Sequence, residues 1–450
     1  MTGTGGARAL QRARGIEPSV ALFVVGLALA CYLQGAFVPR AQIIVAIPMV
    51  VGAVLAPRLP ALTRPDLSIV LAAAALAGWA VADGVLTGHL LAGFRYALLI
   101  AGMLGLAGLC RQLSDTARVT LVNGLLVICC AVAALGWFGV VVHHPAWSFA
   151  SEGLWRASST LTYPNATAAV LAMAALVCLA LRAKDPTGRW LGCAAVILVT
   201  GLVATLSRAG LGGLGIGLVV LGCGIGWRPL LRGAVGPLLG AMVATVGLLP
   251  SITAHTPTAV TVVAAGLAAV AASVIGARVV ATRVVLAVFV AVLAAGLVSL
   301  AGRLASRFTF DSPDRWGSFQ AAWNVFLRHP VTGTGPGIDQ LVLARATGGI
   351  SVFRFAHNEY LQVLAELGVL GGIALIAFLA LVMRRLWHDR VEAGALAVGG
   401  LAALTALLLH AGFDFVWHIP AVPLLAAAIV GVAMPRTDST ITTENERELN

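Results

Sequence analysis

Apolar residues run in long stretches from near the start of the chain to near its end, and short polar joints separate them. A membrane-spanning helix needs about 20 mainly apolar residues. Fourteen segments qualify: 18–38, 41–57, 67–86, 91–110, 119–142, 164–182, 190–206, 210–227, 233–250, 258–276, 280–301, 361–383, 394–411 and 417–434. The pattern predicts an all-α polytopic membrane protein with 12–14 transmembrane helices. Arg8, Arg12 and Arg14 precede the first run, as in a signal peptide. That run, Val20 to Val38, is longer than the 7–15 residues of a signal-peptide core, so a retained first helix is expected.

Composition agrees. Of 450 residues, 60% are hydrophobic and only 10% charged, with a mean hydropathy of +0.97. A soluble domain carries about 25% charged residues, and disordered chains are apolar-poor. Both classes are excluded. The net charge is +11, almost all of it arginine, since Lys184 is the only lysine. The cations sit in joints between apolar runs, which argues against a nucleic-acid partner. If the N-terminus is cytoplasmic, inner joints carry Arg58/Arg64, Arg111/Arg118, Arg182/Lys184/Arg189, Arg228/Arg232, Arg278/Arg283 and Arg384/Arg385/Arg390. Short outer joints carry one cation or none, so both termini are expected inside. The seven cysteines all fall in apolar runs without metal-ligand spacing and are expected to be core residues.

Two outer segments are long and polar, 143–163 and 302–360. Loops of that length are usually functional or disordered. In the second, Ser312-Pro313 forms a helix-start pair, and Trp316, Phe319, Trp323 and Phe326 follow at helical spacing. An amphipathic helix from 313 to 328 is expected, lying on the membrane surface. A glycine-rich turn follows at Gly333–Gly337, and Asn358 is placed to cap the next helix. The organisation expected is a cytoplasmic tail (1–17), helices 1–11 (18–301), an extracytoplasmic loop (302–360), helices 12–14 (361–434) and a disordered cytoplasmic tail (435–450).

Charges near membrane depth are costly and mark candidate function. Arg156, Arg208, Arg315, Arg354 and His357 all fall on the outer side. Each arginine has the simpler reading of snorkelling to head groups. Arg208 lies in a joint with almost no loop, on the cation-poor face. Arg315 stands in the first turn of the amphipathic helix, where a cation is unfavourable unless an anion binds. His357 precedes a helix N-terminus and can act as a base near neutral pH. Glu366 falls within the next apolar run and is expected to face the interior and pair with an arginine. Asp83, Asp311 and Asp314 are isolated, and no cluster has the spacing of a metal site. Several cations, two helix N-termini and one histidine suit an anionic lipid diphosphate whose leaving group must be stabilised. The alternative is a transporter or permease for a small anion or an envelope precursor. That class favours mid-span charges and paired broken helices.

One ordered series of motifs is specific. Arg315-Trp316, Ala321-Ala322-Trp323 and His329-Pro330-Val331-Thr332-Gly333-Thr334-Gly335-Pro336-Gly337 are followed by His357-Asn358-Glu359-Tyr360-Leu361 and Glu366-Leu367-Gly368. With Arg156, Tyr163-Pro164-Asn165 and Ser207-Arg208 upstream, the chain resembles the O-antigen ligase/O-antigen polymerase family over roughly residues 150–420. The resemblance implies a GT-C-like membrane glycosyltransferase in the bacterial inner membrane. Such an enzyme moves a glycan from polyprenyl (undecaprenyl) diphosphate to a hydroxyl of a glycan, lipid or protein acceptor, beside other envelope polysaccharide assembly proteins. It uses no metal and no cofactor. By motif match, Arg208 and Arg315 would hold the diphosphate and His357 would activate the acceptor. Arg156, Asn165, Asn358, Glu366 and Arg354 would support substrate binding. Ligase, polymerase and protein O-glycosylase remain open.

Overall fold

The computed structural model describes residues 17–56, 63–276, 313–344 and 349–436. The segment 280–301, Asp311, Ser312 and most of both tails lie outside them. The described residues form thirteen α-helices and two short hairpins. In order, the helices are α1 (Pro18–Tyr32), α2 (Pro39–Val54), α3 (Arg64–Thr87), α4 (Leu90–Gln112), α5 (Asp115–Val142), α6 (Pro164–Lys184), α7 (Arg189–Ala204), α8 (Arg208–Ile225), α9 (Trp227–Thr253), α10 (Ala259–Gly276), α11 (Pro313–Arg328), α12 (Glu359–Ala411) and α13 (Ala421–Ala433). Antiparallel hairpins β1–β2 (Ser148–Ser151, Leu154–Ala157) and β3–β4 (Leu341–Ala344, Ile350–Phe353) lie in the two polar segments. Among the described residues, eight helices are long and apolar enough to cross a membrane, and four more are apolar but shorter. The chain is an all-α polytopic membrane protein.

Helix α6 is the hub. Every side chain from Pro164 to Ala180 is buried. Small residues permit that depth, because helices in lipid associate by close van der Waals approach. A Cβ added at Gly201, Gly210, Gly217 or Gly399 would strike Ala133, Ala168, Leu176 or Ala180, so α7, α8 and α12 pack with their backbones near their neighbours. The outer helices show the reverse. Ile43, Val54, Leu98 and Val260 are exposed, as suits a surface facing lipid. Proline at the first helical position starts α1, α2 and α6, and Ser114 and Ser207 cap α5 and α8 by accepting from the N–H groups of Ala117 and Gly210.

Two of the loop arginines turn out to be buried staples. Arg182 is wholly buried and donates to the carbonyls of Gly233 (2.8 Å), Gly188 (2.5 Å) and Gly276 (3.0 Å). Arg111 pairs with Asp66 at 2.7 Å and donates to the Pro435 carbonyl at 2.6 Å, tying α4 to α3 and to the end of α13. The cysteine expectation also needs amendment. Five are buried, but Cys193 is half-buried and Cys223 is exposed on α8.

Helix α12 is broken at Gly368 (φ 62°, ψ −165°) and again at Gly394. A break exposes backbone groups that must find partners where water is scarce. The turn at 330–335 supplies them. Thr334 and Gly335 N–H donate to the carbonyls of Ala365 (3.1 Å) and Glu366 (3.0 Å), and Val369 N–H donates to the Pro330 carbonyl at 2.9 Å. The Trp79 indole takes the Leu367 carbonyl at 2.9 Å. A side chain at Gly333 would strike the Glu366 carbonyl, and one at Gly368 the Val331 carbonyl.

Gly368→Ala and Gly333→Ala are each expected to destabilise the protein by about 2 kcal/mol or more through backbone strain and collision. Gly102→Ala, which would point into open space on α4, is expected to be neutral or slightly stabilising. Heat-denaturation midpoints of the detergent-purified proteins check this. A Gly368→Ala midpoint equal to that of Gly102→Ala would show that the break is not required.

Candidate active site

The junctions that follow β2, α7, α12 and precede α6 and α12 meet at one end of the bundle, with the start of α11 against them. At their centre is Asp414, in the joint between α12 and α13, with its side chain wholly buried. Its Oδ1 accepts from the Tyr163 hydroxyl (2.7 Å), from His357 Nδ1 (3.1 Å) and from the Phe415 N–H (2.9 Å). Its Oδ2 accepts from Asn165 Nδ2 and faces Arg315 Nη2 at 3.4 Å. Arg156 extends the network from β2. It donates to Asn165 Oδ1 (3.2 Å) and to the Thr205 carbonyl (2.9 Å), three residues before Arg208 opens α8.

Each member is held by its own element. Tyr163 and Asn165 flank Pro164 at the N-terminus of the hub helix. His357 follows Ala356, whose N–H donates to Gln362 Oε1 (2.8 Å) and whose carbonyl accepts from the Ser318 hydroxyl (2.9 Å). Asn358 caps α12, its Oδ1 accepting from the N–H groups of Tyr360 (3.0 Å) and Leu361 (3.1 Å). Glu359, the first residue of that helix, accepts from the Trp417 N–H and pairs with His418 Nδ1 at 3.1 Å, which anchors the far side of the Asp414 joint. Glu366 is buried, as expected, but the expected arginine partner is not what it meets. It accepts from the Tyr96 hydroxyl and from Gln362 Nε2 (2.6 Å). Arg354 lies over the rings of Phe37 (5.4 Å) and Phe355 (5.3 Å). Phe355 stacks on Phe415, which stacks on Tyr163, so an aromatic layer runs beneath the polar cluster.

The backbone is strained at the same place. His357 (φ 49°), Leu206 (φ 51°) and Thr162 (φ 60°) adopt the left-handed region, and each adjoins or belongs to a site segment. Such conformations cost about 1–3 kcal/mol each and persist where surrounding contacts over-determine them.

Helix α11 packs on the protein with the face opposite its aromatic stripe. Ser318, Ala321 and Ala322 are buried against the start of α12, with Val325 beside them. Trp316 and Trp323 point outward, each near a phenylalanine partner, Phe319 or Phe326. The small face lets the helix approach closely enough for Arg315 to reach Asp414.

The sequence pattern named His357, Arg315, Arg156 and Asn165, and the fold joins them through one carboxylate it did not name. Asp414 is a lone acid between the apolar runs 394–411 and 417–434, with His410 and His418 on either side. That triplet of ionisable residues at a cation-poor joint is the signal that was available. Tyr163 was visible only as part of a motif. Among the described residues no group of three or more His, Cys, Asp or Glu is placed to hold a metal ion.

Burial pushes the Asp414 carboxyl up, but the His357 hydrogen bond and the charges of His357 and Arg315 outweigh it and hold it below the ordinary carboxylate range. Burial, then Asp414, pushes the Tyr163 hydroxyl up, so it stays a donor. Burial would lower His418, yet the Glu359 charge and hydrogen bond win and raise it.

Opposite pH dependences follow by linkage. The stability from Asp414 is complete above about pH 4 and lost as pH falls through its lowered value. That from His418 is complete below about pH 6.5 and lost as pH rises through its raised value. Asp414→Asn is expected to cost about 3 kcal/mol at neutral pH by uncompensating the cluster, with a shallower acid slope of the unfolding midpoint. Glu359→Gln is expected to flatten the decline on the alkaline side. Unfolding midpoints between pH 3 and 9 test both, and unchanged slopes in both variants would contradict the assignments.

A search of curated proteins finds no match to the chain. Comparison with protein-family models gives one, Wzy_C, O-antigen ligase, over residues 251–376. The matched stretch contains Arg315, the Gly333–Gly337 turn, His357, Asn358 and Glu366, while Arg156, Asn165, Arg208 and Asp414 lie outside it. Residues 251–376 thus match an O-antigen ligase domain, which supports an assignment to the O-antigen ligase/polymerase family.

Proposed function

We propose that the protein moves a glycan from a polyprenyl-diphosphate carrier to an acceptor hydroxyl on the extracytoplasmic face of the bacterial cytoplasmic membrane, with both termini inside. The observation that carries this reading is the Asp414–His357 pair beside Arg315. A carboxylate can only accept, so the hydrogen bond requires the proton on His357 Nδ1. Nε2 is then the basic nitrogen, and the ring is fixed in orientation by a group that also stabilises the imidazolium when it forms.

In the proposed step the acceptor oxygen forms a bond to the anomeric carbon of the donor sugar. The bond from that carbon to the diphosphate oxygen breaks, and its electron pair leaves with the diphosphate. The acceptor's proton passes to His357 Nε2. Attack opposite the leaving group inverts the anomeric centre. Arg315 and Arg208 hold the diphosphate, because guanidinium groups offer paired donors to phosphate oxygens. In this reading they carry the charge a metal carries elsewhere, and no cofactor takes part. Arg156 and Asn165 orient the cluster, Asn358 and Glu366 hold the start of α12, and Arg354 serves the substrate from the aromatic layer. The exposed aromatic face of α11 rests at the membrane surface, where tryptophan is favoured.

Mass spectrometry of polyprenyl-linked glycans in a deletion strain tests the reaction. The lipid-diphosphate glycan is expected to accumulate and to be cleared by wild-type protein but not by His357→Ala, whose transfer rate should fall about 10²–10⁴-fold. An unchanged lipid-linked pool in the deletion strain would overturn the reading in favour of transport. Arg208→Lys and Arg315→Lys are expected to be poor substitutes, and full activity with lysine would count against diphosphate clamping. Activity is expected to survive EDTA. Loss that a divalent cation restores would refute the metal-free step.

A further inference from the structure

The base of the proposed step stands on a backbone that its residue type disfavours. His357 has φ 49°, a left-handed conformation that residues with a Cβ rarely take. Relaxing that dihedral would swing the ring away from Asp414. Neither hairpin nor helix holds the segment, because β4 ends at Phe353 and α12 starts at Glu359. Side chains hold it instead, and they act on Ala356, which is wholly buried. The Ala356 carbonyl belongs to the peptide plane that enters His357. It accepts at 2.9 Å from the Ser318 hydroxyl of α11, which also lies 2.9 Å from the Arg315 carbonyl. The Ala356 N–H, in the plane before, donates to Gln362 Oε1 at 2.8 Å. With both planes fixed, so is the rotation with which the chain arrives at His357.

The Gln362 amide is itself held from behind. A backbone N–H can only donate, so the amide oxygen must face Ala356 and the amide nitrogen must face the other way. There Nε2 donates to Glu366 Oε1 at 2.6 Å, one helical turn on, and Glu366 Oε2 accepts from the Tyr96 hydroxyl of α4. Gln362 and Glu366 are each 1% exposed, so water does not compete for these bonds. The order of donors and acceptors is thereby set from Tyr96 to Ala356. The start of α12 does not require this chain, since Asn358 already caps that helix and Ala356 lies outside it. Position 362 needs a group that accepts on one side and donates on the other. Glutamine does both, an ionised glutamate only accepts, and leucine does neither.

We infer that Gln362 is a positioning residue for the transfer reaction. Supported by Glu366 and Tyr96, it holds the backbone at Ala356 so that His357 Nδ1 meets Asp414 and Nε2 is presented to the acceptor hydroxyl. Gln362 touches no substrate and acts through His357. The inference rests on the glycosyl-transfer reading for the reaction it serves. Its weight comes from geometry at the reacting atoms, where a displacement of about 1 Å can lower a rate about 10²-fold.

For the test, full-length variants are induced in the deletion strain, and discharge of its accumulated lipid-linked glycan is followed by mass spectrometry. Each rate is divided by the amount of folded protein, read from the monodisperse size-exclusion peak. Gln362→Leu is expected to lower the rate per folded molecule about 10²-fold. Gln362→Glu should be as poor, because it sets two like charges face to face. The double variant Gln362→Glu/Glu366→Gln should recover to within about threefold of wild type, since coupled partners do not add. In it the carboxylate at position 362 accepts from Ala356 N–H, the amide at 366 donates to that carboxylate, and the amide oxygen takes the Tyr96 hydroxyl. A residue needed only for folding would change the amount of folded protein and leave the rate per molecule alone. If Gln362→Leu yields no folded protein, Gln362→Asn, one methylene too short to reach both partners, carries the same expectation. A wild-type rate in either variant overturns the role, and so does a double variant no faster than Gln362→Glu. Failure of the wild-type protein to discharge the pool instead overturns the transfer reading, and with it the role that rests on it.

Discussion

A carboxylate sealed from water at the joint of two apolar helices is tolerable only when its oxygens are met by donors, since taking the ion out of water costs several kcal/mol even after relaxation. Asp414 draws those donors from separate parts of the chain: Tyr163 and Asn165 at the start of α6, His357 before α12, Arg315 on α11 and its own neighbour Phe415. Hydrogen bonds to charged groups are worth about 1.5–3 kcal/mol each. The cluster therefore does two things together. It fixes the convergence of several junctions, and it leaves His357 with a basic nitrogen beside a guanidinium.

The supports of that cluster are of two physical kinds. Beneath it is α6, whose small buried side chains let the surrounding helices approach closely and hold its N-terminus in place. Beside it is an exchange of backbone hydrogen bonds between the Gly333 turn and the Gly368 break in α12. Two glycines with positive φ, far apart in sequence, are each required because a side chain on one would collide with the segment carrying the other. The conformational strain at His357, Leu206 and Thr162 is sustained by these contacts and by the clamps on Ala356 and Trp417.

Much of this was legible in the residues, and the gaps have identifiable causes. The membrane class followed from apolar run length alone, because a bilayer imposes a minimum span. His357, Arg315, Arg156 and Asn165 stood out as polar groups where polar groups are costly or motif-bound. Glu366 was legible as an inward-facing acid, but its partners, Tyr96 and Gln362, were not, since a buried carboxylate can be satisfied by neutral donors as well as by a cation. On α11 the spacing of aromatic residues marked an apolar face. It could not reveal that the opposite, small-residue face is the one packed on the protein, because periodicity names a face and not the medium that covers it.

The sequence by itself determined the solvent this protein folds in, the helical class, the capped start of α12 at Asn358, the glycine turn and the identity of most polar residues at the site. These depend on local chemistry: hydropathy over one span, caps over one turn, backbone freedom at one residue. Only the tertiary structure decided that Asp414 is the common partner of those residues, that the Gly333 turn closes the Gly368 break, and that Glu366 meets Tyr96 and Gln362. Each of these is a pairing across long sequence separation. Such pairings are set by which buried groups lack partners once the helices have packed, and that is a property of the assembled fold.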